Sequence, residues 1–484
     1  MTLAKKVGVD SLISGVRILI GFARGLVAIP LITNLLGTDS YGVWSIVLAF
    51  VAMVVTVGGL HLHGALIRYS NRGGRGEQAY IDILALTGLL GLVFGGIVYL
   101  AGSAISLDWI VGSAISDEST LVTVASLLIL SEMLFLINIS FSRSKGDIRT
   151  YESINVAKSL VETVGLIVVF LTGRGLVEGF LALLVVGLAF NALIMATIWT
   201  RYTIPTPSVA NYRSYVAFGL PMVPKELFGS LLVHADKFLI LYFMSPTAVG
   251  IYAVAYGISA TFTKFTDALN PTLYPTVSKA WDEGAHQELS DLYTLIFKYY
   301  SIIAIPALVG ISIVAEPLLA LISTPEIATE GAILLPFLAV GFLLRGYDNP
   351  LAYILTATES TRKIGFAVVL ASILNLGLNV ALIPTFGLLG AVGASLFSQL
   401  VIVTLIYRFA ARELPFTLPL DSIGKAILAS MAMALVLVSI PGQYGPVVTL
   451  VAYPALGVVV YVAVMYLIDG ISKTDVARVT GLLR

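Results

Sequence analysis

Arg17 and Arg24 lie within an apolar stretch that runs from Val16 to Leu36, a setting in which an arginine needs a reason. A charge at mid-bilayer costs roughly 2.5 to 3.5 kcal/mol on insertion scales, so such residues usually face a protein interior or a wet cavity. Seven residues make about 700° of helical turn and about 10 Å of rise, which stacks both guanidiniums on one face. A guanidinium grips phosphate or carboxylate through two parallel hydrogen bonds. The stripe therefore fits an anionic ligand inside a membrane.

The other ionisable residues expected at membrane depth are Lys225, Lys237, Lys264 and Arg345, set against Glu132, Glu162, Glu226, Asp236, Asp267 and Asp348. Lys264 with Asp267, and Arg345 with Asp348, are three apart and can pair within one helix; Lys158, placed at the interface, can do so with Glu162 four residues on. This leaves Arg17, Arg24, Lys225 and Lys237 as candidate substrate-binding cations. Glu132, Glu226 and Asp236 remain as candidate charge partners or coupling groups. The structural alternative for the two arginines is an interhelical pair with Glu132 or Asp236. Pro221 and Pro224 fall in the helix that carries Lys225 and Asp236, and predict a kink usable as a hinge. His61 and His63, two apart, point to different faces of a helix, so no metal site is expected there. Asn375 and Asn379, four apart, suit either a sugar path or an interhelical hydrogen bond.

With 58% hydrophobic and 12% charged residues, the chain is far from the quarter or so of charged residues usual in soluble domains. It reads as an all-α polytopic membrane protein. Net charge is zero and cysteine is absent, so neither a nucleic-acid partner nor thiolate chemistry is indicated. A spanning helix needs about 20 mostly apolar residues. By that measure there are about fourteen: 11–35, 43–66, 80–102, 120–142, 154–172, 176–199, 214–243, 248–270, 292–315, 328–356, 364–384, 387–409, 422–440 and 446–468. Lys5 and Lys6 precede the first, which is too long and too charged for a signal peptide and is expected to be retained. Alternate loops collect the basic residues, among them Arg68, Arg72, Arg75, Arg143, Lys145, Arg149, Arg201, Arg213, Arg362 and Lys363, whereas the other loops hold only Arg174. By the positive-inside rule both termini are cytoplasmic. The run Asn71-Arg72-Gly73-Gly74-Arg75-Gly76 lacks the Lys-Ser/Thr of a phosphate-binding loop, and no loop is long enough to house a catalytic domain. Neither a cofactor nor an enzyme is expected.

The halves match at an offset of about 210 residues. Leu36-Gly37, Tyr41-Gly42 and Trp44 correspond to the turn ending Thr247-Ala248-Val249-Gly250-Ile251-Tyr252; Gly175-Leu176-Val177 corresponds to Gly387-Leu388-Leu389. Six helices in each copy imply parallel repeats about an axis normal to the membrane, with substrate bound between them. The expected division is 1–205, 206–415, and a tail of two helices at 416–484.

Arg17 to Tyr69, His234-Ala235-Asp236-Lys237, Val249-Gly250-Ile251-Tyr252 and Phe386-Gly387-Leu388-Leu389-Gly390-Ala391 together resemble the polysaccharide transporter family, within the multidrug/oligosaccharidyl-lipid/polysaccharide flippase superfamily. The resemblance implies two six-helix lobes around a cavity open alternately to each side, which turn a polyprenyl-(pyro)phosphate-linked oligosaccharide across the cytoplasmic membrane. It implies lipid and the glycan-lipid as partners, with glycosyltransferases or a polymerase of the same route as further candidates, in a monomer. A peptidoglycan-precursor flippase and a cation-coupled drug exporter of the same superfamily are the rivals. A polysaccharide polymerase and a non-transporting scaffold are more distant ones.

Overall fold

A computed structural model describes residues 25, 27–70, 76–106, 110, 115, 117–267, 270–440 and 445–470. Every regular element among them is helical, as hydrocarbon requires of a chain whose backbone groups must be satisfied internally. In chain order these are α1 (Val27–Leu36), α2 (Thr38–Gly58), α3 (Leu62–Ser70), α4 (Gly76–Ala104), α5 (Glu118–Ser144), α6 (Ile148–Leu171), α7 (Leu176–Arg201), α8 (Tyr212–Gly219) and α9 (Val223–Phe243). There follow α10 (Pro246–Ser259), α11 (Phe262–Asp267), α12 (Asn270–Asp282), α13 (His286–Ile313), α14 (Ala315–Ile322), α15 (Pro325–Ala357), α16 (Thr361–Glu413), α17 (Leu420–Val438) and α18 (Pro446–Leu467). Among the described residues, 11 helical stretches are long and apolar enough to cross a membrane. One of them, α16, has 53 residues and turns at Gly387 (φ 57°), where the sequence places a loop between two spans. Together with α1 and α10 this is consistent with fourteen crossings. Lys363 near the start of α16 pairs with Glu413 at its end, so the chain reverses at that glycine.

Caps mark where helices leave the interface. Asp117 accepts the Thr120 amide at 3.0 Å and Asp147 the Thr150 amide at 3.1 Å, each satisfying an otherwise orphaned first-turn donor. Hydrogen bonds from the Thr150 hydroxyl and amide hold the Asp147 carboxyl below its ordinary pKa. On the outside of the helices large apolar residues such as Leu100, Leu435 and Leu467 stand exposed, a surface suited to lipid rather than water.

The chain divides into two compact units, one of residues 1–253 with 368–391 and one of 254–367 with 392–484. In the first, Trp44 stacks on Phe180 (4.3 Å between centroids) and meets Phe170 edge-on. A polar ladder crosses the same bundle: Tyr80 donates to Asn138 (2.8 Å), Asn138 to Asn191 (2.7 Å), and Asn191 to the Ser131 carbonyl (2.9 Å). Asp82 fastens the segment before α8 by accepting the Ser208 amide at 2.7 Å and, more loosely, the Tyr215 hydroxyl at 3.4 Å. In the second unit Tyr293 and Tyr300 of α13 donate to the carbonyls of Pro350 (2.9 Å) and Leu343 (2.8 Å) on α15. Tyr461 of α18 donates to the Ile302 carbonyl at 2.8 Å and so docks the last helices on α13.

The two copies of the repeated turn meet each other within the first unit. A Cβ on Gly42 would overlap the Pro246 carbonyl and lie 3.1 Å from the Gly250 amide nitrogen; one on Gly250 would overlap the Thr38 carbonyl and lie 3.3 Å from the Gly42 nitrogen. Each glycine is thus fitted against the other's backbone, and the shared motif is a packing requirement. Replacing Gly42 or Gly250 by Ala should cost about 1–3 kcal/mol through overpacking and lower the thermal unfolding midpoint in detergent. The same change at Gly96, where a Cβ meets nothing within 4 Å, should leave the midpoint unchanged or raise it, since Ala favours helix by about 1 kcal/mol.

Candidate functional site

Arg17 and Arg24 lie outside the described residues. The other candidates fall into three groups, all in the first unit. In the first group, Glu132 on α5 does have a partner: Lys158 on α6 reaches its Oε1 at 2.9 Å and the Oε1 of Glu162 at 2.7 Å. Only 8% of Lys158 is exposed, and its ammonium also lies 4.6 Å from the Phe135 ring centre. The triad opens on a cavity of about 330 Å³ walled by Leu48, Val51, Val55, Leu128 and Leu183.

The second group surrounds Asp236 on α9, which is buried with 1% exposure. One carboxylate oxygen accepts the Tyr252 hydroxyl at 2.6 Å and the other the Asn379 amide at 2.8 Å. That same Asn379 amide also donates to the backbone and side-chain oxygens of Asn375, at 2.9 and 3.0 Å. Asn375 and Asn379 thus act as a pair, four apart on one face of α16. Their i, i+4 spacing was the signal for this network, and the carboxylate across from them was not readable from it. Asn375 Nδ2 and Asn379 Oδ1 are buried with no hydrogen-bond partner. Both oxygens of Asp236 therefore already accept a hydrogen bond, and the unpartnered atoms on the asparagine pair are one amide nitrogen and one amide oxygen. Among the described residues no cluster of three or more His, Cys, Asp or Glu side chains has metal-binding geometry.

The third group sits where α2 gives way to α3. Glu226 lies 3.3 Å from His61 Nδ1, a partner that helical neighbour spacing could not supply. The argument that His61 and His63 face apart also fails: His61 is in a left-handed turn (φ 54°), and the two rings are 4.5 Å apart. Pro221 and Pro224 fall where the helical stretch Val209–Phe243 tightens to the 3₁₀ turn Leu220–Met222 between α8 and α9, Pro224 lying in the first turn of α9, where a missing N–H is harmless. The irregularity expected from the two prolines is therefore present. Lys225 is exposed beside Glu226, and Lys237 is half-buried beside Asp236. Twelve residues of helix, about 18 Å, keep these two cations in separate groups.

The pairing of Arg345 with Asp348 inferred from spacing acts through charge, while the hydrogen bond to the carboxylate comes from Gln399 on another helix, at 3.3 Å.

The family model described as polysaccharide biosynthesis protein matches residues 31–326. The chain is 26% identical over 482 residues to a probable flippase, AglR, of Haloferax volcanii, covering 95% of each chain. It is 25% identical over 337 residues to the probable low-salt glycan biosynthesis flippase Agl15 of the same organism, covering 68% of this chain and 70% of that one. Among solved structures, the lipid II flippase MurJ in an inward closed conformation superposes with a TM-score of 0.74 at 15% identity, over 95% of this chain and 98% of that one. An inward-facing multidrug resistance MATE transporter gives 0.65 at 16%, over 82% and 94%. The chain shares its fold with both of these proteins.

Removing the ammonium of the first group takes from Glu132 and Glu162 the cation that both contact. Lys158→Met should therefore destabilise the protein by up to about 3–5 kcal/mol, read as a fall in the unfolding midpoint. Adding Glu132→Gln and Glu162→Gln should restore most of the loss.

Proposed function

The chain belongs to the polysaccharide biosynthesis protein family, and from that premise we propose that it is a flippase for a polyprenyl-(pyro)phosphate-linked oligosaccharide used in surface polysaccharide or glycoprotein glycan assembly. The observation that carries this reading is the alignment of a multi-pass helical membrane protein, over 95% of its length, with a relative named a probable flippase. MurJ and MATE share the fold, so the fold does not separate lipid-linked substrates from drugs. The name of the second Haloferax volcanii relative, a probable glycan biosynthesis flippase, favours the glycan-lipid.

The physical scheme needs no covalent chemistry. A polyprenyl tail can stay in lipid while the phosphates and sugars cross inside the protein, which opens to one side and then the other. Arg17 and Arg24 hold the phosphate, with Lys225 and Lys237 further along the path. Asp236 is the candidate for taking up the proton or cation that couples the cycle. The repeats 1–205 and 206–415 are the two moving lobes, both termini are cytoplasmic, and the protein acts as a monomer in the cytoplasmic membrane beside the enzymes that build and use the glycan-lipid.

In liposomes carrying a polyprenyl-diphosphate oligosaccharide, the purified protein should speed its movement between leaflets, measured by access of an added lectin or glycosidase. Arg24→Ala and Arg17→Ala should each slow this about tenfold or more, the value of a charge-assisted hydrogen bond, with Arg24→Lys keeping part of the rate. Full activity in both Ala variants would remove the arginines from the substrate path. Asp236→Asn should leave binding intact and abolish the dependence of transport on an imposed cation or pH gradient.

A further inference from the structure

We propose that the cleft where α5 and α7 end and α6 begins, on the side of the basic loops, is a binding site for an anionic phospholipid of the adjoining leaflet. Arg201 holds the phosphate, and one hydrocarbon chain lies between α6 and α7. This site is independent of the flippase reading above. Two cavities meet there, both within the first unit. One, of about 260 Å³, runs between α6 and α7, with Ile154, Phe190 and Ile194 along its walls and Lys145 and Arg201 at its mouth. The other, of about 670 Å³, lies against the segment 202–207 that leaves α7. Arg201 and Tyr202 line both.

The narrower cavity has the depth of one leaflet. From Arg201 down to Phe190 is about 16 Å of helical rise along α7, and half of a hydrocarbon core is about 15 Å. Leu193, which lines this slot, is 61% exposed, and Trp199, which lines the larger cavity, is 54% exposed. On a spanning helix such apolar surface faces lipid. Tryptophan and tyrosine near the end of such a helix mark the headgroup level, and Trp199 and Tyr202 stand on either side of Arg201 in the chain. An aliphatic slot below a basic mouth at that level matches the polarity of a phospholipid, whereas a wholly polar anion would leave the slot unfilled.

The acids at this end of the bundle are already committed. Glu77 is taken by Lys145 at 2.5 Å, whose ammonium also lies 5.1 Å from the Tyr202 ring centre. Asp147 caps α6 on the Thr150 amide, and Asp82 accepts the Ser208 amide. The charge of Arg201 adds to the Thr150 hydrogen bonds in keeping the Asp147 carboxyl below its ordinary pKa. Arg201 is nonetheless exposed and, among the described residues, forms no salt bridge. Just beyond it, the amides of Thr203, Ile204 and Thr206 have no acceptor among the described residues. A guanidinium gives a phosphate two parallel hydrogen bonds, and basic pockets between spanning helices on the cytoplasmic side suit anionic headgroups.

Native mass spectrometry of the purified protein, with phosphatidylglycerol and phosphatidylcholine of the same chains, should show phosphatidylglycerol retained in preference. Arg201→Gln should cut that preference about fivefold, the worth of one basic residue at an anionic membrane surface. Arg213→Gln, which removes an exposed arginine outside the cleft, should keep it. No preference in the parent, no loss in Arg201→Gln, or an equal loss in Arg213→Gln would each overturn the site. So would displacement of the bound phosphatidylglycerol by an equal amount of a polyprenyl phosphate or of inorganic phosphate, the first giving the cleft to a transport substrate and the second to a free anion. The chain contains no cysteine, so a fluorophore on Leu193→Cys reports on the slot with Arg201 in place, should Arg201→Gln fail to reach the membrane. Phosphatidylglycerol with brominated chains should then quench it more than brominated phosphatidylcholine, and equal quenching would refute an anionic lipid there.

Discussion

A polar or charged group surrounded by hydrocarbon has no water to fall back on and must find its partner inside the protein. That constraint organises the first unit. Lys158 is held between Glu132 and Glu162. Asp236 is served by Tyr252 and Asn379, and Tyr80, Asn138 and Asn191 form a chain that ends on a backbone carbonyl. Each network joins different helices. The same contacts that satisfy the polar groups therefore also fix which helices are neighbours, a role that apolar contacts fill less selectively because lipid is as apolar as leucine.

Glycine supplies the complementary device. At Gly42 and Gly250 two helix starts approach backbone to backbone, at Gly219 a helix end fits against the Leu60 carbonyl, and at Gly387 a positive φ lets the chain turn back. The regular helices are rigid, and the places where they lose regularity, at 59–61 and 220–222, are adjacent. Rigid segments joined at matched breaks are the construction expected of a protein that must change which side it opens to.

Much of the architecture could be read from composition and periodicity. Apolar stretches near 20 residues gave the spans, and the turn expected at Gly387 lies within the helix Thr361–Glu413 where the sequence placed it. The repeated glycine motif gave a pair of equivalent positions that the structure brings into contact. The electrostatic partners were much less legible. Neighbour spacing within a helix offered Arg345 for Asp348 and left Glu132 and Glu226 without an opposite charge on their own helix. The structure gives Asp348 a hydrogen bond from Gln399, Glu132 the ammonium of Lys158, and Glu226 a contact with His61. Each of these partners lies on a different element, and helical spacing carries no information about that.

The sequence by itself determined that this is a polytopic helical membrane protein and where most of its helices run, because hydrophobic length is a local quantity written along the chain. Only the tertiary structure decided which charges meet, since that depends on segments from about 26 to 165 residues apart arriving at the same place. It also decided that the irregularity at Pro221 and Pro224 takes the form of a 3₁₀ turn, and that His61 leaves the helix to face Glu226. A left-handed turn at a non-glycine residue is locally unfavourable, so no local pattern announces it. The surrounding packing is what stabilises it.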